Sequence, residues 1–308
     1  MSKSAGVDEG AANRTLPFER KRALGRSHLE VMPLGLAAGY GVGAADVEFA
    51  RERGVDFFYW GSARRRGFGE GLRRVLARDR ASTKLVIQTY ARWPSGIGRS
   101  LERALRALKT DYADVLLLGW WNLPPRAAIL DAAAETVARG LAKHIMVSSH
   151  HRPTFVELAR DPRIDLLMLR YNAAHPGAER DVFPLLTSDR PGVVGYTTTS
   201  WGQLLDASLT PTDERTPTST DCYRFSLGQP GIDACWMGAR NRSDLEVALT
   251  AMELGPLSAE EDAWIRRVGT AVRDRTKARA GGMNVADRIV NLVSGFGFKS
   301  TTELVKSA

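Results

Sequence analysis

The 308-residue chain has only two cysteines, Cys222 and Cys235, too few for a disulfide framework. No uninterrupted apolar run approaches the length that crosses a bilayer. The opening segment MSKSAGVDEGAANRT lacks the charged start and apolar stretch of a secretory signal. These absences predict a cytoplasmic protein that neither spans nor binds a membrane. His150 and His151 are adjacent, but no Cys, Asp or Glu at ligand spacing accompanies them, so no metal is expected. Acid is the scarcer charge: 35 Asp and Glu against 43 Lys and Arg give +8, with a sequence pI near 9.7. Such a balance can mark nucleic-acid binding. Here the arginines are scattered and interleaved with acids, as in EGLRRVLARDR, with no basic stripe or stacking aromatics. A nucleic-acid partner is therefore not expected.

What is present is a regular alternation. Apolar strand-like runs occur at Leu29–Leu36, Val55–Tyr59, Lys84–Tyr90, Asp114–Gly119, His144–Ser148, Asp165–Leu169, Val193–Thr197 and Ile232–Met237. Amphipathic stretches lie between several of them, at Ala44–Arg53, Phe68–Arg78, Ile97–Leu108, Ala127–Arg139 and Asp244–Met252. Eight strand–helix alternations with continuous apolar strands fit a (β/α)8 TIM barrel, a parallel eight-stranded α/β fold. The competing fold is a doubly wound dinucleotide-binding sheet, because GYGVGA (Gly39–Ala44) formally matches G-x-G-x-x-A. The acid that motif needs is missing from a strand end, since Asp56 lies inside the next strand. The domain reading is a disordered 1–15, a barrel over 16–274, and a linker with a C-terminal amphipathic helix over 275–308. TKARAGG is the linker, and Val285, Ile289, Leu292 and Val293 share one face of the helix Asn284–Ser294. That helix either closes the barrel, covers its mouth or contacts a partner.

Several segments resemble the aldo-keto reductase superfamily. LGRSHLEVMPLGL looks like its opening hairpin and first strand, GVDFFYWGS like its second and LVIQTY like its third. SLERALRALKTDYADVLLLG is similar to its third helix and fourth strand, RGLAKHIMVSS to its fifth-strand approach and LLMLRYN to its sixth strand. MGARNRSDLEVAL is similar to the stretch that grips the adenosine phosphate. The resemblance implies a barrel with an N-terminal hairpin, an NADP cofactor and a small carbonyl or other apolar ligand at the mouth. It also implies hydride transfer assisted by a tyrosine acid, a lysine, an aspartate and a histidine. Those four positions align with Arg64, Tyr90, Tyr59 and Gly119, so none matches. Losing a general acid alone costs about 10²–10⁴-fold, so the family's usual chemistry is not expected.

The implied cofactor positions are better kept. Ser148 matches the serine that meets the carboxamide, and Ser149 and Met168 stand at its neighbours' positions. Tyr196 matches the ring-stacking position, while Gly238, Ala239, Arg240 and Arg242 precede a helix where a phosphate could bind. Replacement catalysts come from the residues themselves. Tyr59 and Tyr90 are phenols at adjacent strand ends, followed at the first by Arg64, Arg65 and Arg66. A phenol beside guanidinium groups would have a depressed pKa, while the alternative has both rings capping the core. His150 is the best further candidate for proton transfer, with His175 able to join it; structural roles are the alternative for each. Trp60, Trp93, Trp120, Trp121 and Trp201 all follow strand ends and either line the mouth or plug it. The two functions in view are an altered NADP-dependent oxidoreductase and a non-catalytic, ligand-binding pseudoenzyme.

Overall fold

In the computed structural model, which describes residues 18–61, 66–187 and 189–281, every residue of Ala113–Leu118 is buried. A strand covered on both faces needs parallel neighbours roofed by helices. The structure supplies them. A short hairpin, β1 (Arg22–Ala23) and β2 (Glu30–Val31), precedes the barrel strands. These are β3 (Leu34–Ala37), β4 (Phe57–Trp60), β5 (Lys84–Thr89), β6 (Ala113–Leu118), β7 (Ala142–Ser149), β8 (Leu166–Arg170), β9 (Gly192–Tyr196) and β10 (Ala234–Met237). They pair in sequence order, and β10 closes onto β3 to complete a parallel barrel. The expected TIM barrel with its hairpin is present, and closure excludes the doubly wound sheet. The run Leu29–Leu36 is two strands rather than one, interrupted at Met32–Pro33.

Helices α1 (Ala44–Glu52), α2 (Arg66–Arg78), α3 (Pro94–Leu108) and α4 (Ala127–Ala138) roof the first half. The second half has only short turns of helix after β7 and β8, α5 (Thr154–Leu158) and α6 (Ala178–Asp181). It then carries α7 (Ser219–Leu227), α8 (Arg242–Leu254) and the long α9 (Ala259–Gly281). The segment read as a linker after Arg275 is instead the final turns of α9, through Gly281. The helix read at Asn284–Ser294, and residues 1–15, lie outside the described residues. Among the described residues, no helix is long and apolar enough to cross a membrane.

One device sets the register. An aspartate stands at the start of every second barrel strand and accepts a hydrogen bond from a backbone N–H within, or just ahead of, the barrel strand before. Asp56 takes Met32 N at 2.8 Å, Asp114 takes Leu85 N at 3.0 Å, Asp165 takes Ile145 N at 2.9 Å and Asp233 takes Val193 N at 2.7 Å. Cations complete three of the four: Lys21 on Asp56, Arg80 and Lys143 on Asp114, and Arg190 on Asp233. Asp114 is the most enclosed, with its side chain 1% exposed. Removing one member of such a buried group strands the rest, at about 3–5 kcal/mol. Asp114→Ala should therefore lower unfolding free energy by about that amount in urea titration. A change under about 1 kcal/mol would show that the carboxylate does not hold the register.

Candidate functional site at the barrel mouth

Alternation along each strand decides which side chains reach the C-terminal mouth. Phe57, Val86, Val115 and Met146 lie in the interior cluster. Tyr59, Gln88, Gly119 and Ser148 therefore continue the inward faces at the top. Below them Trp236 stacks on Phe57 with ring centroids 4.2 Å apart. Tyr59 donates a short hydrogen bond to the Gln88 side-chain carbonyl. A Cβ on Gly119 would lie 2.0 Å from Gln88 Nε2, so the amide fills the volume a side chain there would need. On the other flank, a Cβ on Gly61 would come within 2.9 Å of the Tyr59 hydroxyl. Two glycines thus make room for a Tyr59–Gln88 plug. Gln88 was not singled out from sequence, although its place two residues before Tyr90 on the inward face was the available signal.

Beyond Gly119 the chain turns sharply. Trp120 is left-handed at φ 60°, a conformation a bulky residue adopts only when surroundings impose it. Arg92 imposes it in part by donating to the carbonyls of Gly119 at 2.9 Å and Trp120 at 2.8 Å, with its guanidinium over the Trp121 ring. Trp120 N donates to Ser148 Oγ at 2.8 Å, and Trp121 N to the Ser148 carbonyl at 2.7 Å. The tryptophans do not act as one set. Trp60 is only 4% exposed, on the outer barrel face, where the Trp60 ring lies against Gly69 of α2, not at the mouth. Trp93, Trp120 and Trp201 are exposed, and Trp236, which sequence did not flag, fills the interior.

Burial works against ionisation of the phenols. Burial, then the neighbouring Tyr90, Tyr40 and Tyr196 phenols, push the Tyr59 pKa well above its ordinary value. Burial also raises that of Tyr90, against the opposing Gln88 amide and Arg92 charge. Low-dielectric surroundings thus disfavour the phenolate at both positions. Arg64, at the family's tyrosine position, and Arg65 lie outside the described residues.

The other rim residues form an arc over β7, β9 and β10. His150 sits edge-on between Trp120 and Tyr196, with centroids 5.6 and 5.4 Å away. Its Nε2 lies 3.1 Å from the Tyr196 hydroxyl. Burial first, then Arg170, lowers the His150 pKa and favours neutral imidazole. Ser149 points the other way, and its hydroxyl is bonded to the backbone of His151. Gly238 faces the Tyr40 ring, with a hypothetical Cβ 2.9 Å away. Arg240 pairs with Asp244 at 2.6 Å and is 76% exposed, while Arg242 pairs with Asp46 at 2.8 Å and covers Phe49. Gly41 approaches the Arg240 carbonyl so closely that a Cβ would meet it at 2.2 Å. The GYGVGA turn thus serves backbone packing. Among the described residues no cluster of His, Cys, Asp or Glu could hold a metal.

A closed parallel barrel roofed by helices defines the (β/α)8 class. Residues 80–221 match the Aldo/keto reductase family model. Solved structures of that family share the fold. An aldo-keto reductase from Bacillus halodurans in its holo form is 20% identical with TM-score 0.72, covering 82% of this chain and 97% of its own. One from Klebsiella pneumoniae in complex with NADP and acetate is 19% identical, with TM-score 0.68 and coverage of 82% and 96%. A Klebsiella pneumoniae structure in complex with NADPH is 21% identical, with TM-score 0.68 and coverage of 82% and 95%.

Two outcomes test this geometry. Gly119→Ala should cost about 1–3 kcal/mol by overpacking against Gln88. Adding Gln88→Ala should recover part of that loss, a coupling readable in a double-mutant cycle; additive losses would refute the contact. His175 bonds Asn172 through Nδ1 at 3.2 Å. Its pKa falls from 6.5 to about 4, through burial first and then Arg170, Arg273, Lys277 and Arg152. The unfolded chain takes up this proton below about 6.5 and the folded chain only near 4, so stability should fall as pH drops through that window. His175→Gln should flatten the slope in urea titrations at successive pH values; an unchanged slope would assign it to other groups.

Proposed function

We propose that the barrel mouth binds NADP(H) along the arc from Ser148 through Tyr196 to Gly238–Arg242, without a phenol acting as proton donor. The observation that carries this reading is the placement of those residues along one side of the rim, from β7 across β8 and β9 to β10. The residues fit such a ligand. Ser148 accepts from Trp120 N, which leaves its hydroxyl proton to donate. Tyr196 presents a partly buried ring. The exposed Arg240–Asp244 pair is worth well under 1 kcal/mol, so a phosphate can replace the carboxylate at little cost. Arg242 is more firmly held, by Asp46 and the Ala45 carbonyl. The Klebsiella pneumoniae relatives solved with NADP and NADPH support the same ligand. When bound, the nicotinamide supplies hydride chemistry.

A second reading is favoured by a specific observation: the Tyr59–Gln88 plug fills the place where proton transfer would be needed. A barrel that binds cofactor and a small carbonyl or apolar ligand without turnover accounts for it. Titrating NADPH against tryptophan fluorescence should give a saturable change. Arg240→Gln should weaken NADPH binding about tenfold or more, the value of a lost charge-assisted hydrogen bond, and leave NADH nearly unaffected. No change at millimolar NADPH would overturn the cofactor reading. Turnover of aldehydes, ketones or quinones that vanishes in Tyr59→Phe or Tyr90→Phe would overturn the non-catalytic one.

A further inference from the structure

The inward face of β8 runs Leu166, Met168, Arg170. The first two are apolar core, and the third places a guanidinium at the rim beside Tyr196, its pairing partner on β9. Arg170 is partly buried. Among the described residues no carboxylate, hydroxyl or carbonyl pairs with it. Other arginines around the barrel have such partners: Arg80 on Asp114, Arg190 on Asp233 and Arg224 on Glu261. An unpaired cation in a partly dry site carries a desolvation cost with no compensation.

Its surroundings make the charge imbalance larger. The field of Arg170 reaches both His150 and His175, lowering their proton affinity, and Arg152, Arg273 and Lys277 add to it at His175. Arg152 is matched by Asp181 at 2.6 Å and Arg273 by its neighbour Asp274 at 3.2 Å. Arg170 and Lys277 are not matched among the described residues. The helix supplying Arg273 and Lys277 is held against this loop, since a Cβ on Gly269 would meet the Ala173 backbone at 2.4 Å. Neutral His150 and His175 imidazoles, the Tyr196 hydroxyl and the Arg170 fork offer donors with no competing carboxylate.

We propose that Arg170, flanked by His150 and His175, forms a subsite for the anionic group, carboxylate or phosphate, of a small ligand entering the mouth. It lies on β8, whereas Arg240 follows β10, so it is separate from the arginines assigned to the cofactor phosphate and does not require cofactor binding. A planar guanidinium takes either oxyanion bidentately.

Isothermal titration with inorganic phosphate and with acetate, at fixed ionic strength, tests this on the full-length protein. Saturable binding of at least one anion is expected, with Arg170→Gln weakening it tenfold or more. Arg170→Lys should retain part of the affinity, and the loss in Arg170→Gln should persist when both proteins also carry Arg240→Gln, which removes the phosphate site proposed there. Phosphate binding alone points to a phosphorylated ligand, and acetate binding points to a carboxylate. Absence of saturable binding to wild type, equal binding by a folded Arg170→Gln, or loss confined to Arg240→Gln would overturn the inference. If NADPH fails to bind while phosphate still depends on Arg170, the cofactor reading falls and this subsite stands.

Discussion

Four aspartate carboxylates at the bottom of the barrel govern what happens at its top. Parallel strands can slide by two residues without exposing their apolar faces, so hydrophobicity alone leaves their stagger loosely fixed. Asp56, Asp114, Asp165 and Asp233 remove that freedom by accepting a backbone N–H from the preceding strand. Once the starts are pinned, strand length determines how far each end rises. The meeting of Tyr59 with Gln88, and of Gly119 with Gln88, follows from that levelling.

The mouth built on this base combines opposed tendencies. On the β4–β6 side, Gln88 and Tyr59 satisfy one another and Arg92 fastens the chain after Gly119. Polar groups there are consumed internally, and burial keeps the phenols protonated. On the β7–β10 side, His150, Arg170 and Arg240 remain close to water or weakly committed. The ligand recognition proposed above therefore belongs to the second side. The proposed cofactor and anion sites both fall there, without using the residues of the plug.

Much of the fold was legible because strands buried on both faces must be written as apolar runs, and VLLL at Val115–Leu118 has no other reading. The hairpin was blurred because Val31 and Leu34 are both buried apolar residues on either side of a break of two residues. Short α5 and α6 carry too few turns to show periodicity. The site was less legible for a physical reason. Alignment positions identify what stands where a family residue would be, but the occupant of a vacated volume comes from a neighbouring strand. Gln88 fills the space beside Gly119 from β5, and the pairing is fixed by tertiary register. Trp60 was misplaced because the last residue of a strand can point outward as readily as inward. Arg170 could have been found by asking which inward strand position breaks an apolar series.

The packing of Gly269 on Ala173 also has a consequence for the geography of the chain. The last helix covers 23 residues, about 35 Å at 1.5 Å per residue. Arg275 and Arg279 tie it to the 208–210 loop, and Lys277 stands near His175. This rod therefore delivers the backbone to the neighbourhood of the binding rim rather than to the pinned base. A change of charge on the last turns of this helix would therefore be felt at the rim, where Lys277 already adds to the field that disfavours a second proton on His175.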